Sequence, residues 1–148
     1  MNDRPERPTR DDYVAWRTAT TRWRDDDAYG HLNNATYYEL FDTAVNAYLY
    51  EATGVDVRAL PQIGVVAETG CRYFREIGFP EPIEMGLVVD KVGTSSIVYR
   101  IGLFPGESDE AAAEGRFVHV YVDSTDPARP VVELPDRIRV AVTPLLHH

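Results

Sequence analysis

The chain has 148 residues, 44% of them apolar and 11% aromatic, enough for one domain with a real core and too few for two. A formal charge of −9 argues against a nucleic-acid binder and a membrane-surface helix, since both need a positive face, and no apolar run reaches the length that spans a bilayer. The single cysteine, Cys71, cannot form an internal disulfide, which fits a reducing, cytoplasmic setting.

Residues 1–12 are charged and proline-bearing, with nothing to bury and no apolar segment of a secretory signal; the expectation is a disordered or loosely attached arm. Residues 13–148 then form a single domain, without an internal repeat or dividing linker. From Tyr13 to Arg24, Trp16, Thr18, Thr20 and Arg22 alternate with Arg17, Ala19, Thr21 and Trp23, the period of a strand. A polar turn follows, Asp25 to Asn34, ending in an asparagine pair suited to cap a helix. Tyr37, Leu40, Phe41, Ala44, Val45, Tyr48, Leu49 and Ala52 then form one apolar stripe, predicting a helix over 35–53 with Gly54 closing it. At 1.5 Å per residue it is about 30 Å long.

Strand patterns take over at Ile63–Phe74, Pro82–Val92, Ser95–Phe104 and Gly115–Val122, with a hairpin link at Val92–Ser95 and an acidic loop over 105–113. Strands in succession suggest an antiparallel meander with the helix on one face, an α+β domain. The tail from Pro130 onward is ambiguous. Leu134-Pro135-Asp136 could open a short helix, and Ile138 to Val142 also fits a strand.

Several catalytic signatures are absent: the nucleophile elbow of α/β-hydrolases, dinucleotide and phosphate loops, and zinc spacing among His31, His119, His147 and His148. No metal is expected. Chemistry concentrates instead between Trp23 and Asn34, where three aspartates, a glycine, a histidine and two asparagines precede the long helix. A helix start has unpaired N–H groups and about half a positive charge, so it can hold an oxyanion. A carboxylate just upstream could act on the same substrate atom as nucleophile or general base. Aspartates in that position also serve commonly as turn and dipole-complementing residues, and composition alone favours that plainer role.

The run Trp23-Arg24-Asp25-Asp26-Asp27-Ala28-Tyr29-Gly30-His31-Leu32-Asn33-Asn34-Ala35-Thr36-Tyr37, with Phe41-Asp42 after it, resembles the signature of the hotdog-fold acyl-CoA thioesterases, in particular their 4-hydroxybenzoyl-CoA thioesterase-like branch. Glu68–Phe74, Gly93–Ser96 and Ala113–Asp123 resemble later strands and the hairpin of that family, so the likeness covers about Trp16 to Pro135. The resemblance implies a hotdog fold, a five-stranded antiparallel sheet wrapped around one long central helix. It implies hydrolysis of an acyl-CoA thioester, with Asp27 as the catalytic carboxylate, Asp25 structural and Asp26 without an assigned role. It further implies that Gly30 lets the backbone approach the thioester and that an N–H near Asn33 or Asn34 polarises the carbonyl. His31 would bind substrate or water, or hold the loop, and at least one of Asn33 and Asn34 would be a cap.

Thr94, Ser95 and Ser96 fall where the family runs the pantetheine arm, and also fit a plain polar hairpin. Arg72, Arg75, Arg100 and Arg116 are candidates for the CoA phosphates or simply solvated strand residues. Coenzyme A belongs to the substrate, so no cofactor is expected. The likeness also implies a homodimer or homotetramer with its sites at the subunit interface, and no nucleic-acid or membrane partner. A non-catalytic acyl-CoA binding module and an acyl-carrier-protein thioesterase are the alternatives on the same fold. Cys71 fits a small buried hydrophobe better than a nucleophile.

Overall fold

The computed structural model describes residues 6–147. Its elements run β1 (Ala15–Ala19), α1 (Asn34–Thr53), β2 (Gln62–Tyr73), β3 (Ile83–Val92), β4 (Ser96–Pro105), β5 (Ala113–Asp123) and α2 (Asp136–Val142). The strands form one antiparallel sheet in the order β1-β3-β4-β5-β2. The α+β class and the five-stranded sheet agree with expectation, but the pairing is not a simple meander. Only β3, β4 and β5 follow one another. The chain crosses the sheet between β2 and β3, so β2 becomes an edge on β5 and β1 takes the place beside β3.

Helix α1 forms for the reasons its sequence gives. Asn33 caps it, with its side chain accepting from the Ala35 N–H, and Gly54 ends it in the left-handed region at φ 71°. Tyr37, Phe41, Ala44, Val45 and Leu49 are buried against sheet residues such as Met85, Tyr99, Ile101 and Phe117. Val66 to Thr69, in the middle of edge strand β2, are exposed.

The helix is not alone. The undecided tail supplies α2, whose Ile138 and Val142 join the same core, and the Tyr48 hydroxyl on α1 donates to the Ala141 carbonyl at 2.6 Å. The expected disordered arm needs a correction as well. Residues 1–5 of it lie outside the described residues, but 6–12 are docked on the outer sheet face. Thr9 bridges Glu110, the Ala111 N–H donates to the Pro8 carbonyl at 2.8 Å, and Arg10 bonds Glu84 and the carbonyls of Gly106 and Ser108. Tyr13, next in the chain, buries its ring over the backbone at Gly86 and Gly102 and donates its hydroxyl to the buried Glu114. The composition of the arm concealed this, because its attachment runs through main-chain groups and arginine rather than through apolar side chains.

Candidate active site

The three consecutive aspartates between β1 and α1 do three different things. Asp25 is buried and takes charge-assisted bonds from Arg22 at 2.9 Å; those bonds hold its carboxyl below the usual carboxylate range. Its carbonyl accepts from the Asn33 N–H at 2.8 Å and so fixes the start of α1. Asp26 points the other way. Both its carboxylate oxygens accept from the Phe79 N–H at 3.1 Å, and the nearby Leu32 N–H donates to the Ile77 carbonyl at 2.7 Å. The loop is thereby fastened to the connection between β2 and β3. A Cβ at Gly78 would lie 2.5 Å from the Gly30 carbonyl oxygen, so this approach requires glycine there.

Asp27 opens a tight turn. Its Oδ1 accepts from the N–H groups of Tyr29 at 2.8 Å and His31 at 3.2 Å. Its N–H donates to the His31 carbonyl at 2.7 Å, and the Gly30 N–H returns to the Asp27 carbonyl at 3.2 Å. Among the described residues Oδ2 has no partner, so one oxygen fixes the side chain and leaves the other available. Gly30 sits at φ +79° with nothing within 4 Å of where its Cβ would be. The left-handed backbone of the turn is what favours glycine at this position.

At the helix start the two asparagines separate. Asn33 is the cap: its N–H donates to the Asp25 carbonyl and its side-chain oxygen accepts from the Ala35 N–H at 3.0 Å. The Asn34 N–H has no partner among the described residues. Asp27, His31 and Asn34 line one open cleft of about 390 Å³, whose other wall is Tyr73, Phe74, Arg75 and Glu76. An anion forming there meets the positive end of α1. His31 is half-exposed, and its Nε2 lies 2.9 Å from Glu76 Oε2, so it ties the loop to the far wall.

The other candidates do not come to this cleft. Thr94 and Ser95 lie in the β3–β4 turn and Ser96 opens β4; the Thr94 carbonyl accepts from the Leu134 N–H and the Ser95 carbonyl from that of Tyr121. That turn adjoins the Gln62 end of β2, whereas the cleft adjoins the Tyr73 end. Arg72 and Arg100 pair with Glu114 at 2.7 and 3.3 Å, and Arg116 pairs with Glu68. Of the four arginines, Arg75 alone lines the cleft; its partner, Glu81, is 3.3 Å away. Burial pushes the Cys71 thiol up to about 11, the opposite of what a nucleophile needs. Among the described residues no three His, Cys, Asp or Glu side chains gather as a metal site. Sequence reasoning missed Tyr73 and Glu76. Glu76 follows the strand with no pattern of its own, and only the fold brings it to His31.

Residues 21–142 match the family model of the thioesterase-like superfamily. The PA5185 protein of Pseudomonas aeruginosa is 45% identical, with a TM-score of 0.90 over 95% of this chain and 97% of its own. The PA2801 protein of the same organism is 27% identical, with a TM-score of 0.79 over 88% of this chain and 99% of its own. Slr0204 of Synechocystis, a 1,4-dihydroxy-2-naphthoyl-CoA thioesterase, shares the fold at 13% identity, with a TM-score of 0.79 over 90% of this chain and 98% of its own. None of the curated proteins compared matches the chain.

Proposed function

The chain belongs to the thioesterase-like superfamily, and from that premise we propose that it hydrolyses an acyl-CoA thioester to a carboxylic acid and CoA, with Asp27 as the catalytic carboxylate. One observation carries the reading. Among the described residues Asp27 Oδ2 and the Asn34 N–H have no partner, and both residues line the same cleft at the positive end of α1. In the tetrahedral transition state the carbonyl oxygen becomes an anion that the Asn34 N–H and the helix end stabilise.

Asp27 either adds its oxygen to the carbonyl carbon, releasing the CoA thiolate and leaving a mixed anhydride for water to open, or takes a proton from water as that water attacks. Both routes end with the acid, the thiol and an unchanged aspartate. Arg75, which lines the cleft, supplies the cation for a CoA phosphate in this reading. His31 and Glu76 act as positioning residues for the loop.

A second copy completes the arrangement. β2 is a 12-residue strand on the sheet edge, and an unpaired edge of that length invites pairing. Two β2 edges joined antiparallel make one continuous sheet, a homodimer that can associate again into a tetramer. Paired about its middle, β2 sets its Tyr73 end against the Gln62 end of its copy, which brings the Thr94–Ser96 turn of one protomer toward the cleft of the other. In that dimer those hydroxyl side chains become available to a pantetheine arm.

The test is CoA release from a panel of short, long and aromatic acyl-CoAs by wild type and Asp27→Asn, with the same acyl groups also offered on acyl-carrier protein. Equal rates for the two proteins would remove Asp27 from the chemistry, and faster turnover of the carrier-protein thioesters would replace CoA as the carrier.

A further inference from the structure

Trp23 and Phe79 have no part in the chemistry above, and neither belongs to the core. Trp23 is 81% exposed and Phe79 41%, yet their rings meet edge to face with centroids 5.9 Å apart. They lie far apart in the chain, so it is the fold that brings them together. Tyr29, 84% exposed, stands close by: it precedes Gly30, whose carbonyl packs on Gly78, the neighbour of Phe79. A lone exposed ring needs no explanation, but three gathered around one backbone contact form a patch of the kind that takes a partner.

The patch is also fastened. The Asp26 N–H donates to the Trp23 carbonyl at 3.3 Å, the Asp26 carboxylate accepts from the Phe79 N–H at 3.1 Å, and the Thr21 hydroxyl donates to the Glu81 carbonyl at 3.2 Å. Asp26 is the residue next to Asp27, so the bonds that hold these rings also hold the loop carrying the catalytic carboxylate.

Charge and distance select the occupant. Pairing of β2 with its copy takes place at the opposite edge of the sheet from β1, the strand that leads into Trp23. Arg24 is exposed and makes no ion pair among the described residues, in a chain whose net charge is −9. Exposed rings beside a free guanidinium suit a flat ring system that carries phosphate. Bases stack on aromatic side chains whatever their identity, and arginine matches a phosphate better than any other side chain. Four residues separate Trp23 from Asp27, at most about 14 Å, a gap that the extended pantetheine and pyrophosphate of CoA more than cover. Resting on the thioesterase reading, we propose that Trp23, steadied by Phe79, is the platform for the adenine of CoA and that Arg24 meets its 3′-phosphate. The platform sets carrier specificity. A thioester of bare pantetheine reaches Asp27 without touching it, so the adenine is what makes CoA the preferred carrier.

The test measures kcat/KM for one acyl group carried on CoA, on dephospho-CoA, which lacks the 3′-phosphate, and on pantetheine. Trp23→Ala should lower the CoA-to-pantetheine ratio about five- to a hundredfold, the worth of one stacked base. Trp23→Phe keeps a ring and should retain most of the ratio. Arg24→Gln should lower the preference for CoA over dephospho-CoA about two- to fivefold, since the contact is exposed. Damage to the loop would slow all three substrates alike and leave the ratios where they were.

If acyl-CoA is cleaved and Trp23→Ala leaves the CoA-to-pantetheine ratio unchanged, the platform is overturned while the hydrolase reading stands. A CoA-to-dephospho-CoA preference that Arg24→Gln does not move overturns the part given to Arg24. If no thioester is cleaved, the hydrolase reading fails, and the platform is judged by titrating adenosine 3′,5′-bisphosphate and reading tryptophan emission. Quenching in wild type that is lost in Trp23→Phe, with Trp16 present in both, supports the platform; unchanged emission overturns it. Emission of Trp23 that changes on dilution of the protein alone, and not with the nucleotide, also overturns it, because a second copy then covers the rings.

Discussion

Burial alone depresses the His119 imidazole from its ordinary 6.5 to about 4; no carboxylate or cation contributes. Its packed neighbours are Tyr99, Phe117 and Tyr121, and Arg58, which lines a pocket with it, pairs with Asp56 at 3.0 Å. The unfolded chain binds a proton at this histidine below pH 6.5 and the folded chain only below about 4, so acid favours unfolding across that window. Above pH 6.5 there is no penalty. The loss reaches about 2 kcal/mol at pH 5 and about 3 kcal/mol once pH falls below 4. The assay is urea unfolding of wild type and His119→Phe at intervals from pH 7.5 to 4. Carboxylates titrate in both proteins, so the difference between the two curves isolates the histidine. The variant should fall less steeply, and it should be the more stable protein throughout because it no longer buries a nitrogen, Nδ1, that has no partner among the described residues. Parallel curves would refute the argument, since they would mean that His119 is hydrated or paired in solution.

Asp27→Asn should reduce kcat by about a hundredfold or more with little loss of stability, because an amide oxygen still accepts from Tyr29 and His31; CoA release and thermal melting check the two halves separately. Gly78→Ala forces a Cβ to within 2.5 Å of the Gly30 carbonyl, and the Asp27 loop must move, so activity should fall by at least tenfold while bulk secondary structure by circular dichroism stays the same. Glu114→Gln removes the charge that Tyr13, Arg72 and Arg100 share; denaturant unfolding should show a loss of about 2–3 kcal/mol. Increased proteolysis of the N-terminal segment should accompany that loss, because Tyr13 anchors it.

Much of the fold was legible because its signals are local. The stripe from Tyr37 to Leu49, the cap at Asn33 and the closing glycine at Gly54 define α1 within one residue of the observed start, and alternation located four of the strands within two residues at either end. What was not legible depends on distant partners. The crossover that seats β1 beside β3 leaves no mark in either strand. The ordering of residues 6–12 depends on carbonyls of the 105–111 loop. The cleft wall at Tyr73–Glu76 becomes part of a site only because the Leu32 N–H finds the Ile77 carbonyl.

The aspartates show where pattern ends and geometry begins. Three identical side chains in a row carry no information about which one is free. The structure separates them. Asp25 is consumed by Arg22 and the helix start, and Asp26 by the Phe79 N–H. Of the three, Asp27 keeps an oxygen without a partner among the described residues, while its other oxygen is held twice. Fixing one oxygen and freeing the other costs the protein a glycine in a left-handed turn and a second glycine packed beneath it. Two such constraints on a surface loop are hard to account for by stability alone, since a simpler turn would cap α1 equally well. They are accounted for if the direction of one carboxylate oxygen is what the loop exists to set.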